Sequence, residues 1–282
     1  MIKKLIGTVA LMLTCTVTYA SEAGFPLETA PKRVNDLAAL QNGAKLFVNY
    51  CLNCHSASSM RYNKLADSGL TDEQIKNSLL FTGEKVGDLM HIAMRPKDAV
   101  QWFGTTPPDL SVIARAKSVN AGPSGADYIY TYMRTFYRDT SKAAGWDNLV
   151  FPSVGMPHAL WERQGLRDLT TVAVHVVEAA DGTKSWERVT TTFDQQGFST
   201  VKTEPLVDYH GKATFDAKFT PANTQQSAAF DNDVADLTAF MSWMAEPVQS
   251  LRKKIGVWVL LFLGLFFFVT WRLNAAYWKH VR

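Results

Sequence analysis

The chain has 282 residues, 29 of them Lys or Arg and 26 Asp or Glu, and is 47% hydrophobic. This composition excludes a disordered or fibrous chain, and the length suits one or two domains with a sizeable core. The net charge of +3 misleads, because eight basic residues lie in or beside two apolar ends; residues 21–251 keep 21 basic against all 26 acidic residues, a balance of −5. That balance argues against a nucleic-acid partner and is compatible with a basic protein partner.

At the N-terminus, Lys3 and Lys4 precede an uncharged, mostly apolar run from Leu5 to Val17, and Thr18-Tyr19-Ala20 supplies small residues around a cut after Ala20. This is the layout of a secretory signal peptide, residues 1–20, too short to span a bilayer well. Cys15 leaves with it.

Leu37, Leu40, Ala44, Phe47 and Cys51 recur at three- and four-residue spacing, which predicts a helix over about 35–52 with Asn35 or Asp36 as its cap. It ends in Cys51-Leu52-Asn53-Cys54-His55, the only cysteines left after export. Two thiols three residues apart can each add to a haem vinyl group from one turn of chain, and the next residue, an imidazole, can reach the iron; Cys-x-x-Cys-His is the c-type haem signature. Zinc is disfavoured without a second cysteine pair. A thiol oxidoreductase motif opens a helix after a strand, whereas this one closes a helix. A disulfide between the two would leave His55 idle. The expected cofactor is therefore one covalently attached haem c, bound at Cys51, Cys54 and His55.

Thr71 with Gln74 makes a capping-box start for a helix through about Leu80, and the segment 124–138 also reads as helical. The iron has a sixth position that a methionine or a second histidine would fill, or that would stay open for ligand chemistry. Met60 is too close to His55 to reach the opposite haem face, while Met133, Met241 and Met244 read as core. Met94 and Met156 both precede a proline and so sit in extended or turned backbone. Met156 also follows Gly155, which lets the backbone approach closely, and is the better of the two. His91, His158 and His210 are the remaining alternatives.

Residues 166–225 read as β-rich: Thr171 to Val177, a turn at Asp181-Gly182, then Trp186 to Phe193, giving an added hairpin or small sheet. A helix over about 232–245 runs towards Ile255–Trp271, seventeen residues without a charge. At 1.5 Å per residue these reach roughly 26 Å, slightly under the ~30 Å hydrocarbon core, with Trp271, Arg272, Tyr277 and Trp278 suited to the interface. Lys and Arg flank both sides equally, so the exported N-terminus sets the orientation: haem domain 21–250 in the periplasm, anchor 251–272 in the inner (cytoplasmic) membrane, and tail 273–282 in the cytoplasm.

Pro107-Pro108-Asp109-Leu110-Ser111, Arg115, Asp127-Tyr128, Gly155-Met156-Pro157 and Trp243-Met244-Ala245-Glu246-Pro247 before a single terminal span, in that order, resemble cytochrome c1, the haem subunit of the quinol–cytochrome c oxidoreductase (cytochrome bc1 complex) of proteobacterial type. The resemblance covers roughly 34–165 and 232–282. It implies a mainly α, class I-like c-type cytochrome domain with long loops, a small β insertion and one C-terminal transmembrane helix. It implies Met156 as sixth ligand, Arg115 and Tyr128 beside the haem propionates, and Pro107 and Pro108 as a wall against the porphyrin. It further implies single-electron transfer from a Rieske iron–sulfur protein to a soluble cytochrome c, beside cytochrome b in a dimeric complex, with no catalytic turnover by the chain alone. The alternative is a tethered monohaem cytochrome of another respiratory reductase or oxidase. The insertion at 166–225 departs from the family pattern, and the cysteines of an extra disulfide found in some relatives are absent.

Overall fold

The computed structural model describes residues 25–178 and 184–280; the segments expected to form a signal peptide (1–20) and a turn at Asp181-Gly182 lie outside the described residues. Helix α1 (Leu37–Leu46) starts where the Asp36 carboxylate accepts the backbone N–H groups of Ala38 and Ala39 at 3.0 and 3.3 Å. Such caps satisfy donors that have no partner inside the helix. The helix then widens into a π turn over Phe47–Cys51, so the haem motif leaves from an expanded last turn. Strand β1 (Ala57–Arg61) follows, then a 3-10 turn (Tyr62–Ser68) and α2 (Asp72–Ser78), which begins with the expected Thr71–Gln74 capping box. Strand β2 (Leu89–Met90) pairs antiparallel with β1, and α3 (Pro96–Phe103) and α4 (Ile113–Ala116) punctuate the next loop.

Helix α5 (Gly125–Arg134) opens on a second capping box, Ser124 with Asp127. It stops earlier than the predicted 124–138, because Phe136–Arg138 forms β3 and pairs with β4 (Trp146–Asn148). An aromatic run such as Phe136-Tyr137 fits a half-buried strand better than it continues a helix. After α6 (Trp161–Gln164) come β5 (Arg167–Glu178), β6 (Lys184–Phe193), β7 (Ser199–Leu206) and β8 (Thr214–Pro221). They form one antiparallel sheet in the order β7-β6-β5-β8. The insertion is thus the small sheet, one of the two readings of its sequence pattern, with β7 and β8 added to the two strands named there.

Helix α7 (Thr224–Ala245) begins eight residues before the predicted start, capped by the Asn223 side chain on the N–H groups of Gln225 and Gln226. It crosses α1 to build the centre of the core. Phe47 meets Phe240 with ring centroids 5.5 Å apart, and both rings are buried. Gly43 makes the crossing possible: a Cβ there would overlap the Asp236 backbone oxygen and lie 2.6 Å from Phe240 Cβ. Arg33 and Asn42 both bond the Asp236 carboxylate on the rim of the same contact.

The last helix, α8 (Gln249–Tyr277), has 29 residues, a mean hydropathy of 2.0 over its most apolar window and no buried residue in that window. A length of about 43 Å is enough to cross a bilayer with turns to spare. An apolar surface exposed along every face needs lipid or another protein around it.

Candidate haem site

The N–H groups of Cys54 and His55 return to the Cys51 carbonyl oxygen at 3.1 and 2.9 Å, so the motif wraps into one tight turn after the π turn. Both thiols are free and half-buried. Burial, and secondarily the neighbouring Cys54, pushes the Cys51 thiol up to about 12, while burial also raises that of Cys54. Both are therefore protonated thiols at neutral pH.

His55 Nδ1 lies 2.7 Å from the Pro108 carbonyl oxygen. A carbonyl oxygen only accepts, so Nδ1 carries the proton and the lone pair remains on Nε2. Burial depresses the His55 pKa, against the opposing influence of Pro108 and Asp109, which keeps the ring neutral and available as a ligand. The Pro107-to-Ser111 segment is fastened to the chain just beyond His55. Leu110 N donates to Ser56 O at 2.8 Å, and the Asp109 carboxylate accepts from Ser58 N and Oγ at 2.8 and 2.6 Å. Partial burial works against the Asp109 charge, yet the hydrogen bonds from Ser111 and Ser58 hold its carboxyl below the usual range. The ring orientation of His55 is thus fixed by a hydrogen-bond partner 53 residues away, itself held by a network.

Met156 is half-buried and packs against the core, whereas Met60, Met90, Met133, Met241 and Met244 are inside it. Met94 is partly exposed and does not join that cluster. The Met156 loop is built on Asp147, whose Oδ1 accepts the N–H groups of Asn148, Ser153 and Val154 at 2.8, 2.6 and 3.4 Å and whose Oδ2 pairs with Lys142 at 3.0 Å. Asn148 Oδ1 accepts from Val150 and Phe151 N, and its Nδ2 donates to the Tyr132 carbonyl oxygen at 2.7 Å. The Tyr132 hydroxyl in turn donates to Met156 Sδ at 3.4 Å. At Gly155 there is room: a Cβ would meet only the Phe103 carbonyl oxygen, at 3.5 Å. Downstream, His158 is buried flat against Phe136, with centroids 4.7 Å apart, and edge-on to Trp146. Burial drives its pKa down to about 3, so it packs as a neutral aromatic ring and pins the end of the loop.

Tyr128 stacks on Tyr132 with centroids 5.9 Å apart and carries Lys117 Nζ over its ring at 4.7 Å. Arg115 is 65% exposed, with its guanidinium 3.9 Å from Glu246 Oε2, an ion pair too open to contribute much by itself. Pro107 is half-buried and Pro108 exposed. His91 and His210 are exposed. Tyr132, Asp147 and Asn148 were not singled out in the sequence; the signal available was Asp147-Asn148 ahead of Pro152 and Gly155, side chains that bond nearby backbone N–H groups in turns.

The donors fit a c-type haem: two free thiols on one turn, an imidazole with Nδ1 fixed and Nε2 bare, and a half-exposed thioether beside an unfilled glycine. A mainly helical domain with this turn and a terminal apolar helix has the layout of a membrane-anchored c-type cytochrome. The family model of the cytochrome C1 family matches residues 29–281. A protein called ammonia monooxygenase gamma subunit from Nitrosomonas europaea is 38% identical over 281 residues, covering 100% of this chain and 99% of its own. Cytochrome c1 of Allochromatium vinosum is 37% identical over 280 residues, covering 99% of each chain. A cytochrome b/c1 from Bradyrhizobium diazoefficiens is 25% identical over 83% of this chain and 32% of its own. The chain belongs to the cytochrome c1 family: it is an electron-transfer haem subunit of a bc1-type complex, anchored to a membrane.

Proposed function

We propose that this chain carries one haem, which Cys51 and Cys54 would hold by thioethers and His55 and Met156 would ligate at the iron, and passes single electrons from a Rieske iron–sulfur protein to a soluble cytochrome c. The domain over 21–250 faces the periplasm, 251–272 anchors it beside cytochrome b, and 273–282 lies in the cytoplasm of a dimeric assembly. The observation that carries this reading is the 2.7 Å contact between His55 Nδ1 and the Pro108 carbonyl oxygen, which leaves Nε2 as the free donor immediately after two free thiols.

When bound, the haem supplies reversible one-electron chemistry at its iron. The residues of the chain supply the rest. Pro108 holds the imidazole in one tautomer, Asp147 and Asn148 hold the methionine loop, and the Tyr128–Tyr132–Phe136 aromatic row packs beside it. Ligands held rigidly from both sides change little as charge comes and goes, which keeps electron transfer fast. Arg115, Tyr128 and Pro107 flank the porphyrin in this reading, Arg115 leaving its open contact with Glu246 to meet a carboxylate, for which a guanidinium fork is well shaped.

The test is a denaturing gel stained for haem peroxidase activity together with purification from membranes. A stained band at the size of the mature chain, accompanied by cytochrome b and a Rieske protein, supports the proposal; an unstained chain overturns it. The name of the Nitrosomonas relative suggests a second assembly. Recovery with monooxygenase subunits in place of cytochrome b would favour that one.

A further inference from the structure

The contact between Tyr132 and Met156 extends the proposed function rather than restating it, and it rests on Met156 being an iron ligand. The Tyr132 hydroxyl lies 3.4 Å from Met156 Sδ, within hydrogen-bonding reach for a sulfur acceptor. The two residues are held together from both sides. The Tyr132 ring is fixed by stacking on Tyr128 and by an edge contact with Phe136 at 5.1 Å. Its backbone carbonyl receives Asn148 Nδ2, and the same Asn148 side chain holds Val150 and Phe151 at the start of the Met156 loop.

We propose that Tyr132 is a positioning residue that sets the donor strength of Met156, its O–H occupying one sulfur lone pair while the other faces the iron. A thioether sulfur is a weak acceptor with two lone pairs. A hydrogen bond to one of them draws electron density from the sulfur and weakens its donation along the other. The oxidised iron depends on that donation more than the reduced iron does, so the bond favours the reduced form and raises the reduction potential. The bond also fixes the rotation of the thioether about its side chain.

The experiment compares Tyr132→Phe with Tyr130→Phe in the full-length, haem-bearing protein. Tyr130 lies on the same helix, buried, with its ring under Arg134. Redox titration and imidazole binding to the oxidised protein are the readouts. Tyr132→Phe is expected to keep the methionine–iron charge-transfer band and to lower the reduced-to-oxidised ratio at fixed potential about three- to tenfold, roughly 30 to 60 mV at 59 mV per tenfold. Imidazole should bind it several-fold more weakly, because the sulfur now donates more strongly. Tyr130→Phe should move neither. Tyr132→Phe in a Met156→Leu background should leave the potential where Met156→Leu alone puts it. An unchanged potential with the band intact overturns the inference while leaving the ligand assignment standing. So does tighter imidazole binding, the sign of a loop merely loosened. A parent protein without the band overturns the ligand assignment and this inference together.

Discussion

The helical body and the four-stranded sheet of this molecule are built on opposite plans. In the body, α1 with its π turn, α5 and α7 bury Leu40, Phe47, Ile129, Met133, Phe240 and their neighbours in one continuous cluster that reaches the Cys51–His55 motif. The sheet contributes only Leu169 and Val174 to the buried apolar residues, while Val176, Phe198, Val201, Val207 and Phe215 are exposed along it. The sheet is therefore held by its ladder and by its base, where β5 begins beside the body and Arg167 donates to the Arg134 and Phe136 carbonyl oxygens at 2.6 Å. A body that must grip a rigid cofactor needs close packing; an appended sheet can vary in sequence without disturbing it.

Substitutions in the two regions should separate by this difference. The largest effect is expected for Gly43→Val at the α1–α7 crossing, where the added atoms meet Asp236 backbone. Overpacking against backbone costs about 3 kcal/mol or more, and little haem-bearing protein should accumulate, as read from the haem absorbance of membranes. A normal yield would mean that the crossing is looser than described. Next, Met156→Leu should retain the haem but lower the reduction potential by on the order of 100 mV, within the roughly 0.8 V range that axial ligands command. Potentiometric titration and loss of the methionine–iron band read it; the same result from Met94→Leu instead would move the sixth ligand to Met94.

Asp147→Ala tests how the body supports its loop. It strips the acceptor from three backbone N–H groups and from Lys142. A cost of about 2 kcal/mol is expected for donors left unpaired, lowering Tm by roughly 4–8 °C for a domain of this size, with the methionine–iron band fading at lower temperature than in the parent. The smallest effect should come from the sheet: Val201→Thr on exposed β7 should change stability by less than about 0.5 kcal/mol. A larger loss in thermal denaturation would show that the sheet face is covered by a partner in the purified protein.

What was readable in the sequence follows the same division. The Thr71–Gln74 capping box, the α1 stripe and the apolar C-terminal helix are local patterns, and they stand where periodicity and capping chemistry put them. The early start of α7 was hidden because residues 224–231 carry few apolar side chains to mark a face, and only Asn223 announces the cap. Helix α5 ended early because Phe136 and Tyr137 found a cross-strand partner that no local signal names. At the site, the turn of Cys51, Cys54 and His55 is written in five consecutive residues. The long-range partners at the site are not: Pro108, which orients His55, lies 53 residues from it, and Tyr132, which contacts Met156, lies 24 from that residue. Motifs identify donors, whereas the groups that tune them arrive through the fold.

The most direct measurement is the intact mass and peptide map of the mature chain under denaturing conditions. One haem should remain on the peptide spanning Cys51 to His55, with neither thiol available to an alkylating reagent. Two alkylated cysteines, or a disulfide between them, on a colourless chain would contradict the account.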